Sequence, residues 1–145
     1  MIIMKNAKAL LSTIWVFLTV NFIFCDVFTL MYLEDLRQIL NGKAGDVELT
    51  QEFLLSFAII MEIPMVMILL SRVLSYKLNR ILNIAFGVLL VLVQLGSLFA
   101  DDNSLHYIFF SIIEVSTLLY IVWLAWHWKN STVQSEKKPN IQSYV

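Results

Sequence analysis

Cysteine, proline, glycine and histidine are scarce in this chain of 145 residues, with one, two, four and two copies respectively. Each scarcity removes a class of protein. Cys25 is alone, so no intrachain disulfide can form and the redox compartment leaves no trace in the sequence. The few glycines make no phosphate-cradling loop. His106 and His127 fall at opposite ends of one apolar run, about 30 Å apart as a helix, too far to ligate one metal ion. No Glu-x-x-His pair suits a di-iron bundle, and no histidine stands within reach of the serines and threonines inside the apolar runs, which weighs against a serine hydrolase. No cofactor and no metal is expected, and the failed templates weigh against an enzyme.

Charge is scarce too. Charged residues make up 14% of the chain against 59% hydrophobic ones, with a mean hydropathy of +0.78 and a net charge of −1. That is too little polar surface for a soluble globule of this size. No basic stripe interleaved with aromatics suggests a nucleic acid, so the expected partner is the lipid bilayer.

The apolar residues gather in four runs, 10–32, 52–71, 80–99 and 105–128, each about the 20 residues needed to cross a hydrocarbon core. The predicted fold is an all-α, antiparallel four-helix membrane bundle with short loops, occupying 1–130, followed by a disordered polar tail over 131–145. Run 10–32 is too long for a secretory signal and has no small-x-small cleavage site, so it reads as a retained span. Cys25 reads as a small buried residue within it.

Eight of the ten Lys and Arg fall before span one, between spans two and three, or after span four. Arg37 and Lys43 lie on the other side with seven acids: Glu34, Asp35, Asp46, Glu48, Glu52, Asp101 and Asp102. The positive-inside rule then places both termini in the cytoplasm, at a plasma or inner membrane, and an even number of spans agrees. The outer loop should hold a short interfacial helix over 34–40, ended by Asn41-Gly42. Thr50 and Ser104 are the predicted N-caps of spans two and four. The short second loop predicts an antiparallel hairpin of spans two and three, with Arg72 and Arg80 reaching for the interface. Trp15, Trp123, Trp126 and Trp128 are the expected members of an aromatic belt. In the tail, Asn130-Ser131-Thr132 and Ser143-Tyr144-Val145 match a glycosylation acceptor and a PDZ ligand by chance.

Three acids interrupt the spans: Asp26, Glu62 and Glu114. A carboxylate at the centre of a membrane helix costs roughly 2.5 to 3.5 kcal/mol. Glu62 falls near the midplane, with Glu114 about 3 Å, Gln94 about 6 Å and Asp26 about 8 Å to the outer side of it. Pro64 lies two residues after Glu62 and is expected to kink span two. Polar residues repeat at helical spacing: Ser12, Thr19 and Asp26; Asn79, Asn83, Gly87, Gln94 and Ser97; Tyr107, Ser111 and Glu114. No Lys or Arg lies inside any span, so the deep acids must hold a proton or meet a metal ion or cationic ligand from outside the chain. Glu62 and Glu114 at similar depth suggest one shared interior site, with Asp26, Asn83 and Gln94 near it. The other reading of the same residues is an interhelical hydrogen-bond network that only holds the bundle together.

The stretches NFIFCDVFTLM, MEIPMVMILLSRVLSYKLNRILNIAFG and YIFFSIIEVSTLLYIVWLAWHW resemble an uncharacterised domain-of-unknown-function family of small four-span bacterial membrane proteins. The most specific pieces are Glu62-Ile63-Pro64, Ser71 to Leu74, and Asn79-Arg80. In architecture the chain also resembles the DoxX-like four-helix proteins. The resemblance implies a prokaryotic membrane and no established activity. Small multidrug transporters have a related size and depend on a glutamate in the middle of the first span, where this chain has Asn21. Two functions fit the residues. One is binding or moving a small lipophilic or cationic solute, with a link to protons; the other is an accessory role built on helix packing. A homo-oligomer fits either.

Overall fold

The computed structural model describes residues 7–99 and 103–128. Four helices are long and apolar enough to cross a membrane: α1 (Ala7–Met31), α3 (Gln51–Val73), α4 (Tyr76–Leu98) and α5 (Leu105–His127). A short helix, α2 (Leu33–Leu40), follows α1, and two-residue strands β1 (Lys43–Ala44) and β2 (Val47–Glu48) pair antiparallel after it. The tail, the two motifs in it and the pair Asp101-Asp102 lie outside the described residues.

Local chemistry accounts for most boundaries. Asn41 closes α2, and Gly42 follows with φ +74°, a left-handed conformation that only glycine adopts without strain. Thr50 caps α3 as predicted, its hydroxyl accepting from the Phe53 amide at 3.2 Å. Ser104 stands at the N-cap of α5, but its side chain makes no cap bond; its hydroxyl lies 3.3 Å from His106 Nε2. The neighbouring imidazole competes with the helix amide for that oxygen. α4 begins at Tyr76, four residues ahead of the predicted start. Hydropathy misreads this turn, because Asn79 is polar yet helical and buried.

The helices pack in the order α3, α1, α5, α4, while α3 and α4 meet only slightly. The predicted hairpin of α3 and α4 is therefore a connection with only a slight interface, while each helix packs mainly on another neighbour. α3 explains the difference: over Gln51–Ile59 every residue is exposed, and its only buried positions are Pro64, Met67 and Ser71. Its apolar first half has no inward stripe to seat against α4. Pro64 sits inside a helix that runs on to Val73.

The core runs along α1 through Leu11, Trp15, Leu18 and Phe22, and along α5 through Leu118, Ile121 and Leu124, with Met67 and Leu90 between them. The α1 spacing alternates four and three residues, the repeat that keeps one seam facing neighbouring helices that lie nearly parallel to it. Gly87 lets α4 approach α5: a Cβ there would stand 2.6 Å from Val122 Cγ2. Small residues at such crossings permit the close packing that holds bundles together in lipid.

Candidate functional site

At the end of the bundle formed by the α3–α4 turn, a buried polar cluster joins three helices. Trp15 Nε1 donates to Asn83 Oδ1 at 2.7 Å, and Asn83 Nδ2 donates to Asn79 Oδ1 at 2.6 Å and to the Asn79 carbonyl at 2.8 Å. Asn79 Nδ2 donates to the Ser71 carbonyl at 2.6 Å. Beside it, Ser12 donates to the Ile68 carbonyl at 2.8 Å and accepts from Arg72 Nε at 3.0 Å. Arg80 donates to the Trp126 carbonyl at 3.0 Å, and the Tyr76 hydroxyl donates to the Trp128 carbonyl. Both arginines thus bond helix neighbours near the turn.

Trp15 was an expected belt residue, but it is 0% exposed. It stands on the α1 seam between Leu11 and Leu18, where Asn83 meets its indole N–H. Trp123 and Trp126 are exposed, as a belt requires, whereas Trp128 is buried against Tyr76 with ring centroids 5.1 Å apart.

The polar stripes fare differently. That of α4 is buried at Asn79, Asn83, Gly87 and Gln94, with Ser97 half-buried. On α5, Ser111 and Glu114 are buried and Tyr107 is half-buried. On α1 the stripe turns outward along its length: Ser12 is buried, Thr19 is half-buried and Asp26 is exposed. A strict seven-residue repeat drifts about 20° per heptad on a straight helix, and the seam ends at Cys25 instead. Cys25 is buried and free.

The two glutamates part company. Glu114 is 1% exposed, and neither carboxyl oxygen has a hydrogen-bond partner among the described residues. Glu62 is exposed and borders a groove of about 250 Å³ between α3 and α4, with Ile59, Ile63, Val66, Leu70 and Phe86 around it. The predicted common interior does not form. Along α3 the buried residues are Pro64, Met67 and Ser71, whereas Glu62 is exposed, and of the three only Met67 reaches the groove that Glu62 borders.

Toward the α2 end, Gln94 Nε2 donates to Ser111 Oγ at 2.9 Å, and Ser97 Oγ lies 2.6 Å from the Tyr107 hydroxyl. His106 Nε2 lies 3.4 Å from Thr29 Oγ1 and 3.9 Å from Asp35 Oδ2, tying α2 to α1 and α5. Among the described residues no group of three His, Cys, Asp or Glu side chains could hold a metal ion.

The architecture and the polar interior define the class as a helical bundle with four membrane-capable spans. Within that class the chain belongs to DUF6326, a family of unknown function, whose model matches residues 2–135. This agrees with the resemblance carried by the central hairpin and the last span. No curated protein and no solved structure matches it.

Proposed function

We propose that this protein binds a small lipophilic cation from within the bilayer, with Glu62 as the charged contact and the α3–α4 groove as the apolar one. The observation that carries the reading is a single carboxylate in a groove whose other bordering side chains are all apolar. Its charge is costly beside lipid unless a cation or a proton answers it. No Lys or Arg occurs between Gln51 and Ser71, on the helix that carries it. At about 250 Å³ the groove is below the usual range for a whole drug-sized ligand, roughly 300 to 1,000 Å³. It suits the charged head and first carbons of an amphiphile whose tail stays in lipid.

The protein acts in a plasma or inner membrane with both termini cytoplasmic. Support comes from Arg72, Lys77 and Arg80 around the α3–α4 turn, opposite the acids on and around α2.

The test is thermal stabilisation of the protein in lipid nanodiscs by an alkyl trimethylammonium, against an uncharged alcohol of equal chain length. Stabilisation by the cation alone, lost in Glu62→Gln, is the expected result. Equal stabilisation by the alcohol, or an unchanged response in Glu62→Gln, overturns it. A second reading, an accessory protein without a ligand, is favoured by the Trp15–Asn83–Asn79–Ser71 cluster, whose polar groups bond one another and serve helix association.

A further inference from the structure

We infer that Glu114 is a proton-binding site, reached from the α2 end of the bundle along the polar side chains between α4 and α5. This site is separate from the Glu62 groove and does not depend on it.

Buried polar groups in folded proteins are nearly always hydrogen-bonded. Asn79, Asn83, Gln94 and Ser111 obey that rule here, each buried and each bonded. Glu114 breaks it at both oxygens. An ionised carboxyl so placed needs a counter-charge. The ionisable groups near it are Asp26 and Cys25 from α1 and Tyr107 from its own helix, and none is a cation. α4 presents the neutral Gln94 on its buried face there. A metal ion would want several ligands, and the described residues bring no such group together. A proton needs only the one carboxyl.

The surroundings of Glu114 are asymmetric. Toward the α2 end, Ser111 precedes it by three residues on the same face, held by the Gln94 amide, and the Ser97–Tyr107 pair lies farther out. Ser97 also donates to the Gln94 backbone carbonyl at 2.9 Å, so the two pairs adjoin at Gln94. Toward the α3–α4 turn, Leu118 and Ile121 follow on α5, with Leu18 of α1 and Leu90 of α4 buried beside them. One side offers hydroxyls bonded across helices, while on the other the buried side chains are aliphatic and the half-buried Thr117 turns its hydroxyl back to the Ile113 carbonyl at 2.7 Å.

Proton uptake needs no other chemistry. A hydroxyl accepts a proton on its oxygen and releases its own to the next acceptor, so Tyr107 and Ser97 can pass one between them and end unchanged. Ser97 and Ser111 meet only through Gln94, whose amide groups relay none, and Ser111 makes no bond to Glu114 among the described residues. Transfer to Ser111 and on to Glu114 therefore runs through water entering from the α2 end. Gln94 donates to the Ser111 oxygen, which leaves the Ser111 O–H free to point elsewhere. The net change is one O–H bond formed at Glu114 and one broken in the donor water at the α2 end. Release runs the same way in reverse.

The experiment is infrared difference spectroscopy of the full chain in lipid bilayers, titrated from about pH 5 to about pH 9, a window that brackets ordinary histidine and excludes ordinary exposed carboxyls. A protonated-carboxyl band that changes with pH, vanishes in Glu114→Gln and persists in Glu62→Gln and Asp26→Asn is expected. Its hydrogen–deuterium exchange should slow at least several-fold in Tyr107→Phe and Ser111→Ala. Absence of a titrating band in the unsubstituted protein, its loss in Glu62→Gln instead, or unchanged exchange in both hydroxyl variants overturns the inference. The unsubstituted protein decides the first point even if a variant fails to fold. Because Glu62→Gln should leave this band intact, failure here is distinguishable from failure of the cation-binding reading.

Discussion

Trp15 and Asn83, 68 positions apart, share a buried hydrogen bond of 2.7 Å that joins α1 to α4. These two helices have no other substantial interface, since α1 packs on α3 and α5. The bond connects helices from the two sides of the bundle close to where α3 turns into α4. In a medium that offers no hydrophobic drive between helices, such contacts help to set which helices become neighbours.

Replacing Trp15 with Phe removes the donor and leaves Asn83 Oδ1 without it, at an expected cost of about 1 to 3 kcal/mol. Trp123→Phe, on the exposed face of α5, should stay within about 0.5 kcal/mol of the parent. Unfolding in mixed detergent micelles reads both. Equal effects would mean that the buried bond contributes no more than surface aromatic area.

Gly87→Ala should destabilise the α4–α5 pair by about 1 to 3 kcal/mol, because the new methyl would enter the space of Val122 Cγ2. Val122→Ala in the same chain should return part of that loss, since neighbouring substitutions couple. Thermal melting of the two single variants and the double variant measures the coupling. Strict additivity would show that the helices separate freely there.

Glu62→Leu should be tolerated, with a stability change within about 0.5 kcal/mol or a gain, because Glu62 is exposed and its groove neighbours are apolar. Glu114→Leu should be stabilising by about 1 kcal/mol or more, since it removes a buried polar group without partners. Had the two glutamates shared an interior site, Glu62→Leu would have stranded its partners. A loss of 1 kcal/mol or more in Glu62→Leu, roughly the value of a typical hydrogen bond, would restore that arrangement.

Orientation is open to single-cysteine labelling. Cys25 is the chain's one native thiol and is buried, so background reaction with a membrane-impermeant maleimide should be low. In intact cells Lys43→Cys should label and Lys77→Cys should not, with both labelling after permeabilisation. The reverse pattern would turn the bundle over.

Much of the architecture was legible because it depends on one-dimensional properties. Span number follows from run length, since a lipid core of fixed thickness sets how many apolar residues a helix needs. The end of α2 at Asn41-Gly42 and the cap of α3 at Thr50 follow from local backbone chemistry. The α4 stripe was readable from the i, i+4 spacing of Asn79, Asn83 and Gly87, which alone assigns them a common face.

The partners of those faces were not legible. Sequence placed Glu62 and Glu114 at similar depth, and depth is a coordinate along the membrane normal only. Whether two residues meet depends also on the rotation of each helix about its axis and on which helices are neighbours, and both arise from packing among all four. Thus Glu62 came to border a groove and Glu114 to be enclosed, while Trp15, typed by its residue class as an interface anchor, became part of the core. The sequence by itself determined four membrane-capable helical runs with three costly acids within them. Only the tertiary structure decided which acid is exposed and which is sealed in, because side-chain packing, unlike hydropathy, is a property of pairs of helices.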